Sequence, residues 1–405
     1  MSGPTRAGHR LVVKNAAEIC VPDAEGAGVQ RLTGHALYIE GGRVAWLGPQ
    51  AELPASAHDA PEYDAADRAV LPALVDAHTH LVWGGDRVAD FARRARGMTY
   101  AEIAAEGGGI VTTVKATRAT PFADLLSAAR RRLLDRARHG IGTTEIKSGY
   151  GLSVSHELRM LEVVAALRAE GFDVEATLLA AHTIPPDADR AEYLRAVREE
   201  LIPEVARRGL ARFADAFVER GAYTADEARE VFAAARAHGL MPRIHADQIT
   251  AGGGAELAAE AGATSADHLE HVSDAGMAAL KAAGVVAVLL PGAMTYLGDA
   301  APKLGRRLVD TGVKVAVATD TNPGSSPTQN LPLMATLAVS QMGLTAEEAL
   351  RAVTLGGAEA LRRVDVGTLA VGALGRFIVL NSPDSRALVA AFGEPVVADL
   401  VLCEA

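Results

Sequence analysis

Between residues 70 and 320, eight short apolar runs alternate with Ala-, Arg- and Glu-rich stretches of helical spacing. No other feature constrains the fold as tightly, because strand-like runs separated by helices are the signature of parallel βα units. The runs are LPALVDAH at 71–78, GTTEIKSG at 142–149, VEATLLAAH at 174–182, RFADAFVE at 212–219, MPRIHADQ at 241–248, TSADHLEH at 264–271, VVAVLLPG at 285–292 and VKVAVATD at 313–320. Between them, 122–138, 153–170, 190–209, 224–239, 254–261 and 274–283 read as helices. The expected fold is an α/β (β/α)8 barrel of the TIM type.

Polar residues sharpen this expectation. In nearly every run a chemically useful side chain stands near the C-terminal end: His78 and His80, Lys147, His182, Glu219, His245, His268 and Asp320. Barrel active sites form at that end of the strands, so these groups are expected to converge on one mouth. His78 and His80 are two residues apart, and on extended backbone both point to the same side. One histidine at a strand end is readily satisfied by backbone hydrogen bonds. With further histidines at the fifth and sixth runs and an aspartate at the eighth, a metal site is the better reading. His78, His80, His245 and Asp320 would hold one Zn²⁺ or similar first-row ion with a position open to water.

The flanks differ in texture. Residues 10–70 and 366–405 contain short alternating segments with Gly and Asp turns, which read as β-hairpins. We expect one small β-sandwich-like domain built from both chain ends, which divides the chain into 1–68, 69–364 (the barrel) and 365–405. The stretch 81–120 is long for a βα loop, and GGGIVTTV at 107–114 within it suggests a functional insertion over the mouth.

A net charge of -10 over 405 residues, with Lys and Arg scattered, argues against nucleic acid or an anionic membrane as partner. A small-molecule substrate is expected. Cys20 and Cys403 are too few and too far apart for a disulfide framework, and no apolar run approaches the ~20 residues that cross a bilayer. A cytoplasmic protein is expected, with a homodimer as one possible assembly.

The VDAHTH string, His245, His268, Asp320 and the C-terminal GTLAVGALGRFIVL resemble the amidohydrolase superfamily of metal-dependent hydrolases across the whole chain. Within it, HTHLVWGGDR, GGGIVTTVKATRA, EIKSGYGL, HTIPP, HADQ, SADHLEH, AVLLPG and ATDTNPGSSPT are similar to the imidazolonepropionase family. That resemblance implies one divalent or trivalent ion per chain, zinc or iron, and the substrate 4-imidazolone-5-propanoate, opened to N-formimidoyl-L-glutamate. The expected catalytic residues are Asp320 as proton carrier, His268 as hydrogen-bond donor to the oxyanion or the attacking water, and His182, donating to the carbonyl or orienting the ring. Arg87 would pair with the propionate, against a loop salt bridge to Asp86 or Asp90 as the alternative. Tyr150 and Gln248 would bind the substrate. Gln248 stands where some relatives have a titrating Glu, and it cannot itself move protons. Asn322 and Gly324 are expected to contact product and Ser325 to contact substrate.

Binuclear members of the superfamily carry a carboxylated Lys on the fourth strand, where this chain has Glu219; Lys147 belongs to the second. Hence one metal is expected, with Lys147 and Glu219 paired as structural partners in the mouth. Arg376 stands where relatives usually have an Ala-Asp pair, which concerns the small domain. Two other readings stay open here: a nucleobase deaminase of the same superfamily, and a non-catalytic homologue that keeps the barrel as a scaffold.

Overall fold

Each of the eight runs contributes a strand to one parallel sheet, and neighbours in the sheet follow chain order. A computed structural model describes residues 4–99, 102–103, 106–185 and 187–404. The barrel strands are β1 (Leu74–Asp76), β2 (Ile141–Lys147), β3 (Val174–Ala181), β4 (Phe213–Val218), β5 (Met241–Ala246), β6 (Ser265–His268), β7 (Val286–Leu289) and β8 (Val315–Val317). Five of the six expected helices form close to their expected bounds, for example Phe122–Ala137 and Asp274–Ala283. The sixth, 190–209, is interrupted by a π-helical turn at Val197–Leu201. Pro203 follows at once in Ile202–Arg207, and its missing N–H leaves a carbonyl of the preceding turn without its usual donor.

β1 and β8 are three residues each, too short to close the barrel by a ladder alone. Closure comes from the residues just beyond them. Thr79 and Thr321 form a parallel bridge, the Asp320 N–H donates to His78 O at 3.1 Å, and the His80 N–H donates to Thr321 O at 2.9 Å. Lower in the seam, the buried Asp76 carboxylate accepts from the Thr319 N–H (3.1 Å) and hydroxyl (2.6 Å) and pairs with the buried Arg136. Arg136 also donates to Thr321 Oγ1 at 2.8 Å and Gln329 Oε1 at 3.0 Å. The seam is thus held by an ion pair whose every arm is used, in the place where His78, His80 and Asp320 emerge.

The run 71–78, expected as one barrel strand, is shared between two sheets. Ala69–Pro72 pairs antiparallel with Arg376–Leu380, and only Leu74–Asp76 enters the barrel. The switch falls just after Pro72, which has no N–H to offer: Ala73 N–H donates to Arg376 O and Leu74 N–H to Gly140 O. The chain ends build two sheets. A six-stranded one mixes Thr5–Ala7, Glu18–Pro22, Val29–Leu32 and Ala69–Pro72 with the C-terminal Arg376–Leu380 and Val397–Cys403, and a four-stranded one is wholly N-terminal. Val13, Ile19, Leu37, Ile39, Val70, Phe377, Val379 and Val401 share a buried apolar cluster drawn from the two sheets. Arg376 reaches across to the barrel and pairs with Asp173, which also takes Arg363.

In the long stretch after β1, helices Val88–Ala95 and Ile110–Ala119 flank a segment in which residues 100, 101, 104 and 105 lie outside the described ones. No helix among the described residues is long and apolar enough to cross a membrane.

Removing one partner of a fully buried ion pair strands the other, at a cost of about 3 kcal/mol. Asp76→Asn should therefore lower the urea midpoint clearly, while Glu260→Gln, which removes one of the two carboxylates paired with the exposed Arg229, should leave it near the wild-type value. Equal midpoints for the two variants would show that the seam does not depend on Asp76.

Candidate metal centre

The histidines of the mouth meet. His78 and His80 follow β1 on extended backbone, His245 lies on β5, and their ring centroids are 4.6 to 5.5 Å apart. Asp320, just beyond β8, turns Oδ1 to within 3.5 Å of His78 Nε2 and 3.4 Å of His80 Nε2. Donor atoms of His78, His80 and Asp320 lie within 4.8 Å of one another, and so do those of His78, His245 and His268. His268, expected as a hydrogen-bond donor, therefore stands within reach of the same point as the expected ligands. Both His268 (φ 79°) and Asp320 (φ 51°) take left-handed backbone that non-glycine residues avoid, which turns their side chains out of the strand direction and into the mouth.

Beneath this cluster the barrel interior carries a layer of charge rather than the apolar fill of an ordinary barrel core. His78 Nδ1–H donates to Asp267 Oδ2 at 2.6 Å, and His245 Nδ1–H donates to Asp215 Oδ1 at 3.1 Å. Lys147 Nζ donates to Asp215 Oδ2 at 2.8 Å and Glu145 Oε1 at 2.9 Å, and lies 3.6 Å from Asp267 Oδ2. Arg243 donates to Asp267 at 3.2 Å and to Ala77 O at 2.7 Å. All five charged groups are fully buried. Burial alone would raise the Asp215 carboxyl, but His245 and Lys147 beside it outweigh this and hold it well below the usual carboxylate range. Burial likewise opposes the Lys147 ammonium, and Asp215 and Glu145 more than restore it.

These contacts decide what the histidines can bind. With Nδ1–H given to a carboxylate, each of His78 and His245 keeps its lone pair on Nε2, and both Nε2 atoms are buried with no hydrogen-bond partner among the described residues. Burial and the Lys147 charge push His78 well below its ordinary pKa, so it is neutral, the form a metal takes. Burial pushes the Asp320 carboxyl up to about 7, an effect that a cation beside it reverses. Two orphaned imidazole nitrogens, a third histidine and a carboxylate around one point fit a single first-row metal ion. His268 is held above its ordinary value: burial lowers it, and Glu270, 3.5 Å away, together with Asp320 outweighs burial.

The expected pairing of Lys147 with Glu219 does not form. Lys147 points into the floor, where three carboxylates already claim it. Glu219, past the end of β4, accepts instead from the N–H groups of Arg220 (2.8 Å), Ile249 (2.9 Å) and Thr250 (3.1 Å) and from the Thr250 hydroxyl. It thereby anchors the loop that follows Gln248. Asp247, with φ 49°, anchors the other side by accepting from Gly252, Gly254 and Ala255 N–H. Gln248 is thus half-buried between two fixed neighbours.

Tyr150 and His182 line the opposite side, with His182 stacked on His80 at 5.0 Å and Tyr150 5.5 Å from His182. His182 Nδ1–H donates to Gly149 O at 3.0 Å, and burial lowers its pKa to about 3. The ring is neutral with its lone pair on Nε2, so it can accept an N–H from a ligand. Gly149 makes this approach possible: its φ is 102°, and a Cβ there would stand 2.9 Å from His182 Nδ1. The fully buried Glu157 fixes the turn by accepting from Gly149, Gly151 and Leu152 N–H at 2.7 to 2.9 Å.

Arg87 is nearly buried and gives Nε to Asp90, the alternative foreseen for it, while Nη1 lies 3.4 Å from Thr113 Oγ1. Its guanidinium also faces the 320–325 turn, since a Cβ on Gly324 would meet Nη1 at 3.3 Å. In that turn Asn322 Nδ2 donates to Asp320 O and Ser325 Oγ, and its Oδ1 accepts from Gly324 and Ser325 N–H, all at 2.7 to 2.8 Å. Its amide is therefore bonded within the turn and shapes it. Ser325 Oγ donates to Asp320 Oδ2 at 3.3 Å, on the side away from the histidines.

Glu145, Asp215, Arg243, Asp267 and Glu157 support the mouth through these bonds, and sequence reasoning did not reach them. Period two could have found two of them, because Glu145 shares a strand face with Lys147 and Arg243 with His245. Asp267 had no such signal. It adjoins His268, and only its register opposite His245 puts it inward.

A model of the amidohydrolase family matches residues 69–403. An imidazolonepropionase of Deinococcus radiodurans is 48% identical over 91% of this chain and 91% of its own. One of Anaeromyxobacter dehalogenans is 47% identical over 92% of this chain and 89% of its own. Among solved structures, 5-methylcytosine deaminase from Klebsiella pneumoniae has the same fold, with a TM-score of 0.74, 18% identity and 96% of each chain covered.

Carboxylates that orient metal-binding histidines typically change metal affinity roughly 10–100-fold. Asp267→Asn should weaken Zn²⁺ binding by that order in competition with a chromogenic chelator. Wild-type affinity in the variant would remove the orienting role given to Asp267.

Proposed function

The chain belongs to the amidohydrolase family and, within it, to the imidazolonepropionases, and from this we propose that it hydrolyses the cyclic amide of 4-imidazolone-5-propanoate to N-formimidoyl-L-glutamate, a step of histidine degradation. His78, His80, His245 and Asp320 hold one ion, zinc or iron, since their nitrogen and oxygen donors suit both. When bound, that ion supplies Lewis acidity toward the ring carbonyl and lowers the pKa of a water.

The chain's own groups do the rest. Asp320 takes a proton from the attacking water and delivers it to the ring nitrogen as the amide C–N bond breaks. Ser325, bonded to Asp320 Oδ2, holds the carboxylate in the orientation that keeps Oδ1 toward the histidines. His268 donates to the oxygen on which negative charge develops. His182 accepts a ring N–H and orients the ring under Tyr150, and Gln248 binds the substrate through its amide without exchanging protons. Arg87 takes the propionate, with Asp90 holding Nε so that the Nη edge faces the site.

The observation that carries this reading is the 320–325 turn, which has the Asp320 carboxylate at one end and the Arg87 guanidinium against Gly324. A small ring with a carboxylate arm fits that spacing of chemistry. We divide the chain functionally into 1–68, 69–364 and 365–405, with all site residues in the middle part. We place the enzyme in the cytoplasm, where its two buried free cysteines remain reduced.

The test is loss of the ultraviolet absorbance of freshly generated imidazolonepropanoate. Removing metal with a chelator should abolish turnover and added Zn²⁺ or Fe²⁺ should restore it; turnover that survives metal removal would sink the mechanism. Arg87→Ala should raise KM roughly 10–100-fold, the worth of a charged hydrogen bond, with metal content unchanged. An unaltered KM would take the carboxylate role from Arg87.

A further inference from the structure

The charged floor of the barrel contains one group whose position links two metal ligands that do not touch each other's supports. Asp267 orients His78 and Asp215 orients His245, from strands β6 and β4. Lys147, from β2, reaches both of these carboxylates and Glu145 with a single ammonium. We propose that Lys147 is the positioning residue of the metal centre: its ammonium, which touches neither metal nor substrate, holds Asp215 and Asp267 against the imidazoles and so sets metal affinity. The proposal rests on the assignment of His78, His80, His245 and Asp320 as ligands.

Three observations support it. The charges are otherwise unbalanced, since among the described residues the lysine and arginine partners of the buried Glu145, Asp215 and Asp267 are Lys147 and Arg243 alone. Arg243 contacts Asp267 at 3.2 Å and gives its Nη atoms otherwise to the Ala77 and Ala360 carbonyls, and no bond from it reaches Asp215 among the described residues. Glu145 is itself tied down by Thr79 N–H at 3.0 Å and by the Thr177 hydroxyl, which fixes the carboxylate that holds the ammonium. Thr79 is the residue between His78 and His80, so the same carboxylate that seats Lys147 also fixes the backbone of the ligand pair. Without the ammonium, Asp215 and Asp267 repel across the layer at short range in a low dielectric, and either can relieve this only by swinging off its histidine.

The experiment compares the full-length wild type with Lys147→Met and with Lys147→Met/Glu145→Gln, which removes one charge of each sign and spares the fold a net buried charge. Phe213→Ala, an apolar truncation in the same floor, serves as a control for simple loss of stability. Zn²⁺ affinity is measured by chelator competition, ligand geometry by the visible absorption of Co²⁺-loaded protein, and folding by circular dichroism and thermal melting. The proposal expects both Lys147 variants to bind Zn²⁺ roughly 10–100-fold more weakly and to show an altered Co²⁺ spectrum. Phe213→Ala should keep affinity and spectrum whatever its melting temperature. Folded Lys147 variants with wild-type affinity and spectrum would overturn the proposal, as would equal weakening by Phe213→Ala. A wild type that takes up no Zn²⁺ or Co²⁺ would instead refute the ligand assignment itself.

Discussion

A cation shared by three carboxylates inside a protein is tolerable only when each buried charge is paired, because an unpaired one costs several kcal/mol. In this barrel the requirement is met by drawing partners from five of the eight strands: Glu145 and Lys147 from β2, Thr177 from β3, Asp215 from β4, Arg243 from β5, Ser265 and Asp267 from β6. The layer thus forces those strands into one register, and the register in turn aims His78 and His245 at a common point. Stability and chemistry share the same bonds here. A substitution that loosened the floor would loosen the ligands with it.

A second constraint acts one level higher. Residues around the mouth leave the strands through backbone that L-residues avoid: Asp247, His268, Leu269 and Asp320 all have φ between 49° and 79°. Such conformations cost of order 1–3 kcal/mol each and persist only where the surroundings over-determine them. The surroundings do so visibly. Asp320 is held by its N–H on His78 O and by the fully bonded Asn322 turn, and Asp247 by three N–H groups on its carboxylate. Around the substrate side the same device recurs without a metal, with Glu157 and Glu219 each gripping a loop by several backbone N–H groups. Buried carboxylates are the tool with which this barrel makes its loops rigid.

Much of the fold could be read in the chain because barrel strands are short, apolar and evenly separated, and their pattern survives without tertiary information. β3 through β8 fall within the runs that the apolar pattern marks, β2 begins one residue before its run, and the six-stranded sheet does draw on both chain ends. The exception, β1, is instructive: the continuous apolar run 71–78 gives no sign that Pro72 hands the chain from one sheet to another. Of the site, His78, His80, His245, His268 and Asp320 were legible because the chemistry needs them at strand ends, where position alone suggests function. The pairing of Lys147 was misread for the complementary reason. A strand places a side chain on a face, and which partner it meets across the barrel depends on strands far away in sequence.

By itself, the sequence determined the barrel, the set of metal-binding residue types and the kinship to the amidohydrolases, all of which follow from local periodicity and short strings. Tertiary structure alone decided that Asp267 turns inward opposite His245, that Lys147 serves the carboxylates of β4 and β6 rather than Glu219, that Asn322 spends its amide on its own turn, and that His182 gives Nδ1–H to the Gly149 carbonyl. Each of these depends on a hydrogen bond between segments tens or hundreds of residues apart, or on a turn whose φ the residue types do not announce. Proton positions and ion-pair partners are properties of three-dimensional neighbourhoods, so they become definite only when the strands are in register.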